Sequence, residues 1–202
     1  MHLRSRRALA ILLPIAGLLG TVTAARYAND SADSSTTASA VSPSLRLTAD
    51  LSNRKLYIEE HDKVVLSFPI AVGLPQHPTP TGSFLIRRIV WNPSWVPPDE
   101  KWARRDRPRA PGDPYNPMRL VKIYFRPPDY YIHGTPYVGS LGKAASHGCL
   151  RMDPVDAAEV AQYVMEHGGQ PRDENWFWRV IHARSQTKTV NLRNPIPMTI
   201  VP

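Results

Sequence analysis

The chain has 202 residues, a formal charge of +8 and a single cysteine. One cysteine excludes an internal disulfide framework, and the length suits one domain with a real core. The basic balance suits an anionic partner or surface, or is simply a solvated basic face.

Arg4, Arg6 and Arg7 precede an apolar run of 13 residues from Ala8 to Gly20, and small residues follow at Val22-Thr23-Ala24-Ala25. This is the order of a positive n-region, a short h-region and a cleavage site, so residues 1–25 are expected to be an export signal. Spanning a bilayer takes about 20 apolar residues; an uncleaved anchor is the alternative. Arg6-Arg7 is compatible with a twin-arginine route, although adjacent arginines also occur in ordinary signals. A lipid-anchoring cysteine at the cleavage site is excluded, because the only cysteine is Cys149. Residues 26–43 are rich in Ser, Thr and Ala and lack the apolar side chains to fold, so they read as a flexible linker. The domain is expected over 44–202. The three arginines of the signal leave +5 for the exported part. Export makes nucleic acid an unsuitable partner and favours an anionic wall polymer or a membrane surface.

Leu45-Arg46-Leu47 alternates, and Lys55-Leu56-Tyr57-Ile58 follows a Ser-Asn-Arg turn. His61-Asp62 marks a second turn before Val64–Phe68 and Ile70–Val72. These runs predict short antiparallel strands. Gly73 to Gly82 contains Pro75, Pro78 and Pro80 and predicts a loop. Phe84–Trp91 is a further strand. Asn92–Pro117 is proline-rich, with Trp95, Trp102 and Tyr115, and is too long for a simple connection. It reads as a lid or as an ordered excursion packed on the sheet by its own aromatics. Leu120–Phe125 and Tyr130–His133 return to strand. Asp153 as N-cap and Pro154 at the first position open a helix that keeps its spacing through Val155, Ala158, Ala161 and Met165 and stops at Gly168-Gly169. Trp176–Ala183 is a short helix or a strand. Thr189–Leu192 and Met198–Val201 read as two closing strands separated by a proline-marked turn. The expected fold class is mostly β, sandwich-like, with one or two helices.

Chemistry concentrates at Tyr131-Ile132-His133-Gly134-Thr135 and Ser146-His147-Gly148-Cys149-Leu150-Arg151-Met152. A thiol needs a base to become a nucleophile, and imidazole supplies one. His147 is two residues from Cys149, but the turn that Gly148 invites separates their side chains. His133 lies at a strand end, a more rigid mount, and is the favoured base. Acyl transfer also needs oxyanion donors, for which the backbone amides of His147, Gly148 and Cys149 are the natural supply. Ser146 either fixes that turn or is an ordinary turn serine. Arg151 either grips a substrate carboxylate or pairs with Asp153 or Asp156. Tyr131 and Gly134 flank the base and are the other candidate substrate-binding residues. Taken alone, Cys149 with His133 and His147 also allows a catalytic zinc site. His2, His61, His77, His167 and His182 read as surface or loop residues.

These segments resemble the signature of the L,D-transpeptidase (YkuD-type) catalytic domain. Thr79-Pro80-Thr81-Gly82-Ser83-Phe84 resembles the family's TPTG-x-F segment, Asn92-Pro93-Ser94-Trp95 its NP-x-W segment, and Asn116-Pro117-Met118 its NPL. The matches run in family order over roughly residues 45–202. Arg119 departs from the pattern, since Gly often follows the NPL segment. The resemblance implies a mostly β domain that cross-links peptidoglycan. Cys149 would attack the carbonyl of the third residue of a tetrapeptide stem, at the L-centre of its diamino acid, and release the terminal D-alanine. A thioester would remain, to be taken by an amine of another stem or of a wall-anchored acceptor protein. His133 would be the base, the His147–Cys149 backbone the oxyanion hole, and carbapenem-type β-lactams covalent inhibitors. No metal or other cofactor is implied. Arg after the cysteine resembles the forms of Gram-negative envelopes, which implies the periplasm. Two other functions stay open: an L,D-carboxypeptidase, in which water resolves the thioester, and a non-catalytic wall-binding module.

Overall fold

The structure, a computed structural model, describes residues 45–202. The expected signal and linker lie outside the described residues. Ten strands and two helices follow in order. They are β1 (Leu45–Asp50), β2 (Lys55–Glu60), β3 (Lys63–Pro69), β4 (Val72–Gly73), β5 (Gly82–Trp91), β6 (Arg119–Arg126), β7 (Tyr130–Gly134), β8 (Ala144–Ser146), β9 (Leu150–Met152), α1 (Pro154–His167), α2 (Glu174–His182) and β10 (Lys188–Val201).

Eight strands make one sheet in the order β3-β2-β1-β10-β5-β6-β7-β9, and β4 pairs with β8. β1 alternates strictly, with Leu45, Leu47 and Ala49 inward, as a one-sided strand must. The β2–β3 hairpin turns at His61 and Asp62, both with positive φ, the requirement of a tight hairpin turn. The chain leaving the edge strand β3 reaches the opposite edge of the sheet. Ala71, just past β3, exchanges backbone hydrogen bonds of 2.9 and 3.0 Å with Arg151 of β9. That bridge covers part of the β9 edge and leaves β3 as an edge strand. One core fills the interior, with Ile58, Ile86, Ile123, Ile132 and Leu150 among its buried members. Burying each such side chain contributes on the order of 1.5–3 kcal/mol.

Helix α1 begins as expected. The Asp153 carboxylate accepts from the Val155 amide at 2.8 Å. Its buried face is Ala157, Ala158, Val160, Ala161, Val164 and Met165. Small residues allow it to lie close on β6 and β7, whereas Val155 is exposed and falls outside that face. Trp176–Ala183 resolves as the helix α2, capped by Asp173.

Two expectations need correction. The C-terminal segment is one 14-residue strand, not two strands around a turn. Pro195 is absorbed by a bulge between Asn191 and Ile196, where the Arg193 and Asn194 amides turn aside to the Gly168 carbonyl. Pro197 lies just before β1 joins at Met198, so its missing N–H leaves no donor unmet on that side. Ile70–Val72 is not a continuous strand either: β3 ends at Pro69 and the chain crosses to β9 and β8.

The excursion over 92–117 is ordered. The Asn116 side-chain amide donates to the Pro93 carbonyl at 2.8 Å and its oxygen accepts from the Met118 amide at 2.8 Å. This stitches the two ends of the excursion together. The Asn92 side chain reaches the carbonyls of Val180, Ala183 and Gln186, tying its start to the end of α2. The two Asn-Pro pairs therefore act as structural pins, which accounts physically for asparagine at both.

Candidate active site

Strands β6, β7 and β9 carry the site by simple alternation. Val121, Ile123 and Phe125 of β6 enter the core, as do Ile132 of β7 and Leu150 and Met152 of β9. The residues between them point to the opposite face: Lys122 and Tyr124, Tyr131 and His133, and Arg151. There a cavity of about 960 Å³ is lined by Lys122, Tyr131, His133, Ser146, His147, Cys149 and Arg151, with Trp95 and Trp102 contributed by the excursion. The two sequence segments singled out above are thus brought together.

The turn before Cys149 is built for glycine. Gly148 has φ +105°, and a Cβ there would lie 2.7 Å from Cε1 of Tyr130. Both conformation and space exclude a side chain. Ser146 Oγ donates to the Cys149 carbonyl and accepts from the Gly148 amide at 3.1 Å. Ser146 is therefore the brace of this turn. It also occupies the Gly148 amide, so that amide is not a free oxyanion donor as the sequence suggested. Gly148→Ala is expected to lower kcat at least 100-fold and to destabilise the fold by about 2–4 kcal/mol; steady-state kinetics and urea unfolding of the variant check both effects.

Cys149 donates from its thiol to the Asp129 carbonyl at 3.3 Å. Burial pushes the thiol up to about 11, opposed by the Tyr131 backbone N–H, Lys122, the Tyr131 side chain and Arg151. His133 is buried, 2% exposed. Its Nδ1 lies 2.9 Å from the Gly134 carbonyl, which fixes the proton on Nδ1 and leaves the Nε2 lone pair as acceptor. Burial pushes the imidazole down to about 3; the Gly134 carbonyl opposes this, while Arg151 and Lys122 add to it. Thiol and imidazole are therefore both neutral at pH 7.

His147 belongs to the excursion's docking surface. Its ring stacks on Trp102 at 3.8 Å and 7°, and meets His77 edge-on at 4.8 Å. Burial, then His77, then Arg151 lower its basicity. His77 is a loop residue, as read from sequence, and from that loop it also lines the cavity. Nothing in the sequence separates it from the other proline-loop residues.

Arg151 makes no ion pair among the described residues, so the pairing with Asp153 or Asp156 is absent and the guanidinium is left to the cavity. Gly134 does not line the cavity. A Cβ there would collide with the Arg119 carbonyl and the Pro154 backbone, so this glycine serves close packing rather than substrate contact. It also answers the departure at Arg119, which pairs with Gly134 across β6 and β7. Among the described residues no three His, Cys, Asp or Glu side chains gather as a metal set, which removes the zinc arrangement of Cys149, His133 and His147. Lys122 was missed altogether. Its signal was present: one lysine at an alternate position inside an otherwise apolar strand.

Residues 44–190 match the family model of the L,D-transpeptidase (YkuD) catalytic domain. A putative L,D-transpeptidase YkuD of Bacillus licheniformis is 34% identical over 121 residues, covering 59% of this chain and 59% of that protein. The corresponding protein of Bacillus subtilis is 32% identical over 120 residues, covering 58% and 59%. The chain thus spans about three fifths of the length of these relatives. The catalytic domain of an L,D-transpeptidase from E. faecium has a similar fold, with a TM-score of 0.50 and 16% identity over 80% of this chain and 99% of that one. By that match over residues 44–190, the chain belongs to the YkuD family of L,D-transpeptidase catalytic domains.

Proposed function

We propose that the protein is a cysteine-dependent L,D-transpeptidase acting on peptidoglycan tetrapeptide stems outside the cytoplasm. The observation that carries the reading is the shared cavity of a solitary thiol and an imidazole whose Nε2 is left free by the Nδ1–Gly134 bond. Because both groups rest neutral, proton transfer accompanies attack rather than preceding it. The Cys149 sulfur bonds to the third-residue carbonyl carbon as its proton passes to His133 Nε2. Charge developing on the carbonyl oxygen meets the amides of His147 and Cys149, since Gly148's is engaged by Ser146. Collapse breaks the C–N bond, and His133 returns the proton to the departing D-alanine amine. The thioester is then attacked by an amine, which gives its proton to His133; the new amide forms as the thiolate leaves and recovers that proton. β-Lactams of the carbapenem type would acylate the same sulfur. The export signal expected in residues 1–25 supports a location beside this substrate, in the periplasm or cell envelope.

The test is incubation of the purified protein with a tetrapeptide and an amine acceptor, followed by mass spectrometry. Acceptor-linked tripeptide together with free D-alanine is expected. Free tripeptide alone would make the protein an L,D-carboxypeptidase, and unchanged tetrapeptide would leave a wall-binding module.

A further inference from the structure

Lys122 has no place in the chemistry above, yet it is the most unusual charge in the molecule. It is 7% exposed and makes no ion pair among the described residues. Its ammonium lies 3.3 Å from the Ser94 carbonyl and 4.6 Å from the centre of the Tyr131 ring. A buried cation without a counter-charge is costly. Desolvation accordingly pushes this lysine down to about 8. Such a group persists where something else uses it.

Its placement is specific. β6 pairs Arg119 with Gly134 and Lys122 with His133, so extra residues are inserted between those two pairs. Leu120, inside the irregularity, takes a positive φ of 58°. A bulge of this kind re-aims the side chains that follow it. On the other side of β7, His133 pairs with Arg151. Lys122, His133 and Arg151 therefore form one row across three strands, with the imidazole between two cations. Both cations face the cavity that holds Cys149, and the cavity's acids, Asp99, Glu100 and Asp129, pair with neither of them.

We propose that Lys122 and Arg151 together form a carboxylate subsite that seats the acyl-donor peptide against Cys149, with Lys122 a specificity-determining residue. The identity of the ligand rests on the acyl-transfer reading above; the two unpaired cations do not. The chemistry fits an exopeptide donor. In a scissile C(=O)–N–Cα–COO⁻ unit, the terminal carboxylate carbon is three bonds from the attacked carbon, within the same cavity. Where the third residue is a diamino dicarboxylic acid, its side chain carries a second carboxylate. Either supplies the anion, and the two are separable by amidation. An arriving carboxylate would offset the field of both cations on His133 and so ease its protonation during attack.

The experiment is calorimetric binding to full-length Cys149→Ala protein, which needs no turnover. The ligands are the tetrapeptide, its C-terminal carboxamide and its third-residue side-chain carboxamide. The tetrapeptide is expected to bind at least tenfold more tightly than one of the two amides. Adding Lys122→Met should erase that preference, and Lys122→Arg should restore most of it. With Cys149 intact, Lys122→Met should raise KM about tenfold and change kcat far less. Loss of affinity by the same factor for all three ligands would overturn the subsite, as would equal binding of all three by the parent. Thermal melts identify a misfolded Lys122→Met protein, in which case the Lys122→Arg and Arg151→Lys proteins decide by the same comparison. Tight, carboxylate-selective binding alongside an absence of turnover in the wild type would sink the transferase reading and leave the subsite standing.

Discussion

Cys149→Ala is expected to abolish tetrapeptide turnover, with a loss on the order of 10⁴-fold or more, while leaving the fold intact. The chain holds no second thiol. The proposed covalent step therefore has no substitute nucleophile, and carbapenem adducts should vanish from the mass spectrum along with turnover. The loss should be chemical, because Cys149 lies outside the core cluster and alanine fits the same turn. Wild-type alkylation by iodoacetamide adds an independent check. Burial holds the thiol near 11, and only the thiolate reacts. The alkylation rate should thus climb about tenfold per pH unit from 7 towards 10 and level off near 11. A rate already flat above pH 5 would mean that a thiolate–imidazolium pair exists in the resting enzyme, and the concerted proton transfer argued above would fail. Turnover retained by Cys149→Ala would remove the cysteine mechanism entirely.

The parts of this molecule that were legible from sequence are those governed by local rules. Alternation announced β1, short strand-forming runs announced β2 and β6, and the Asp153-Pro154 pair with Gly168-Gly169 bounded α1 almost to the residue. The site's two segments were legible for a different reason. A solitary thiol, a glycine turn and a strand-end histidine form a chemically unusual combination that no packing rule requires. Non-local decisions stayed hidden. Pro195 and Pro197 look like a turn unless β5, β1 and the α1 C-terminus are already in place to host a bulge. The β7–β9 parallel pairing, which joins His133 to Arg151, depends on a three-residue strand too short to show a period. Gly134 was assigned to substrate because it neighbours the base, whereas its lack of a side chain is used by Arg119 and Pro154 on the other face.

Lys122 shows the same limit from the opposite direction. In sequence it sits in Leu120-Val121-Lys122-Ile123-Tyr124-Phe125, where a charged residue at an alternate position usually means a solvated sheet face. The excursion changes that meaning. Asn92 and Asn116 pin a segment whose Trp95 and Trp102 cover this face, and Ser94 delivers a carbonyl to the ammonium. A row of β6, β7 and β9 that would otherwise face solvent thereby becomes the floor of an open cleft. The excursion's long proline-rich sequence is thus part of the site's electrostatics, since it brings the Ser94 carbonyl to Lys122 and lines the cleft shared with His133 and Cys149.

His133→Gln should reduce kcat/KM by about 10²–10⁴-fold and, unlike Cys149→Ala, should also change how stability depends on pH. The native imidazole is held near 3 by burial, against 6.5 for an ordinary histidine. Between those values the unfolded chain binds a proton that the folded protein does not. Protons therefore favour unfolding, and His133 alone lowers stability as pH falls from about 6.5, by up to about 1.4 kcal/mol per pH unit. Glutamine cannot titrate, so the variant loses this component and its stability should fall less steeply between pH 6 and 4. Urea unfolding of both proteins across that range measures the difference. The kinetic counterpart follows from the same shift. Since His133 stays neutral in the free enzyme, the wild-type kcat/KM should show no acid limb from this group near pH 6–7 and should decline only where the fold itself begins to fail. Parallel stability slopes in wild type and variant, or an acid limb near 6.5 that disappears in His133→Gln, would show that the imidazole protonates readily in the native site. Burial and the two neighbouring cations would then weigh far less on His133 than their positions across β6, β7 and β9 imply.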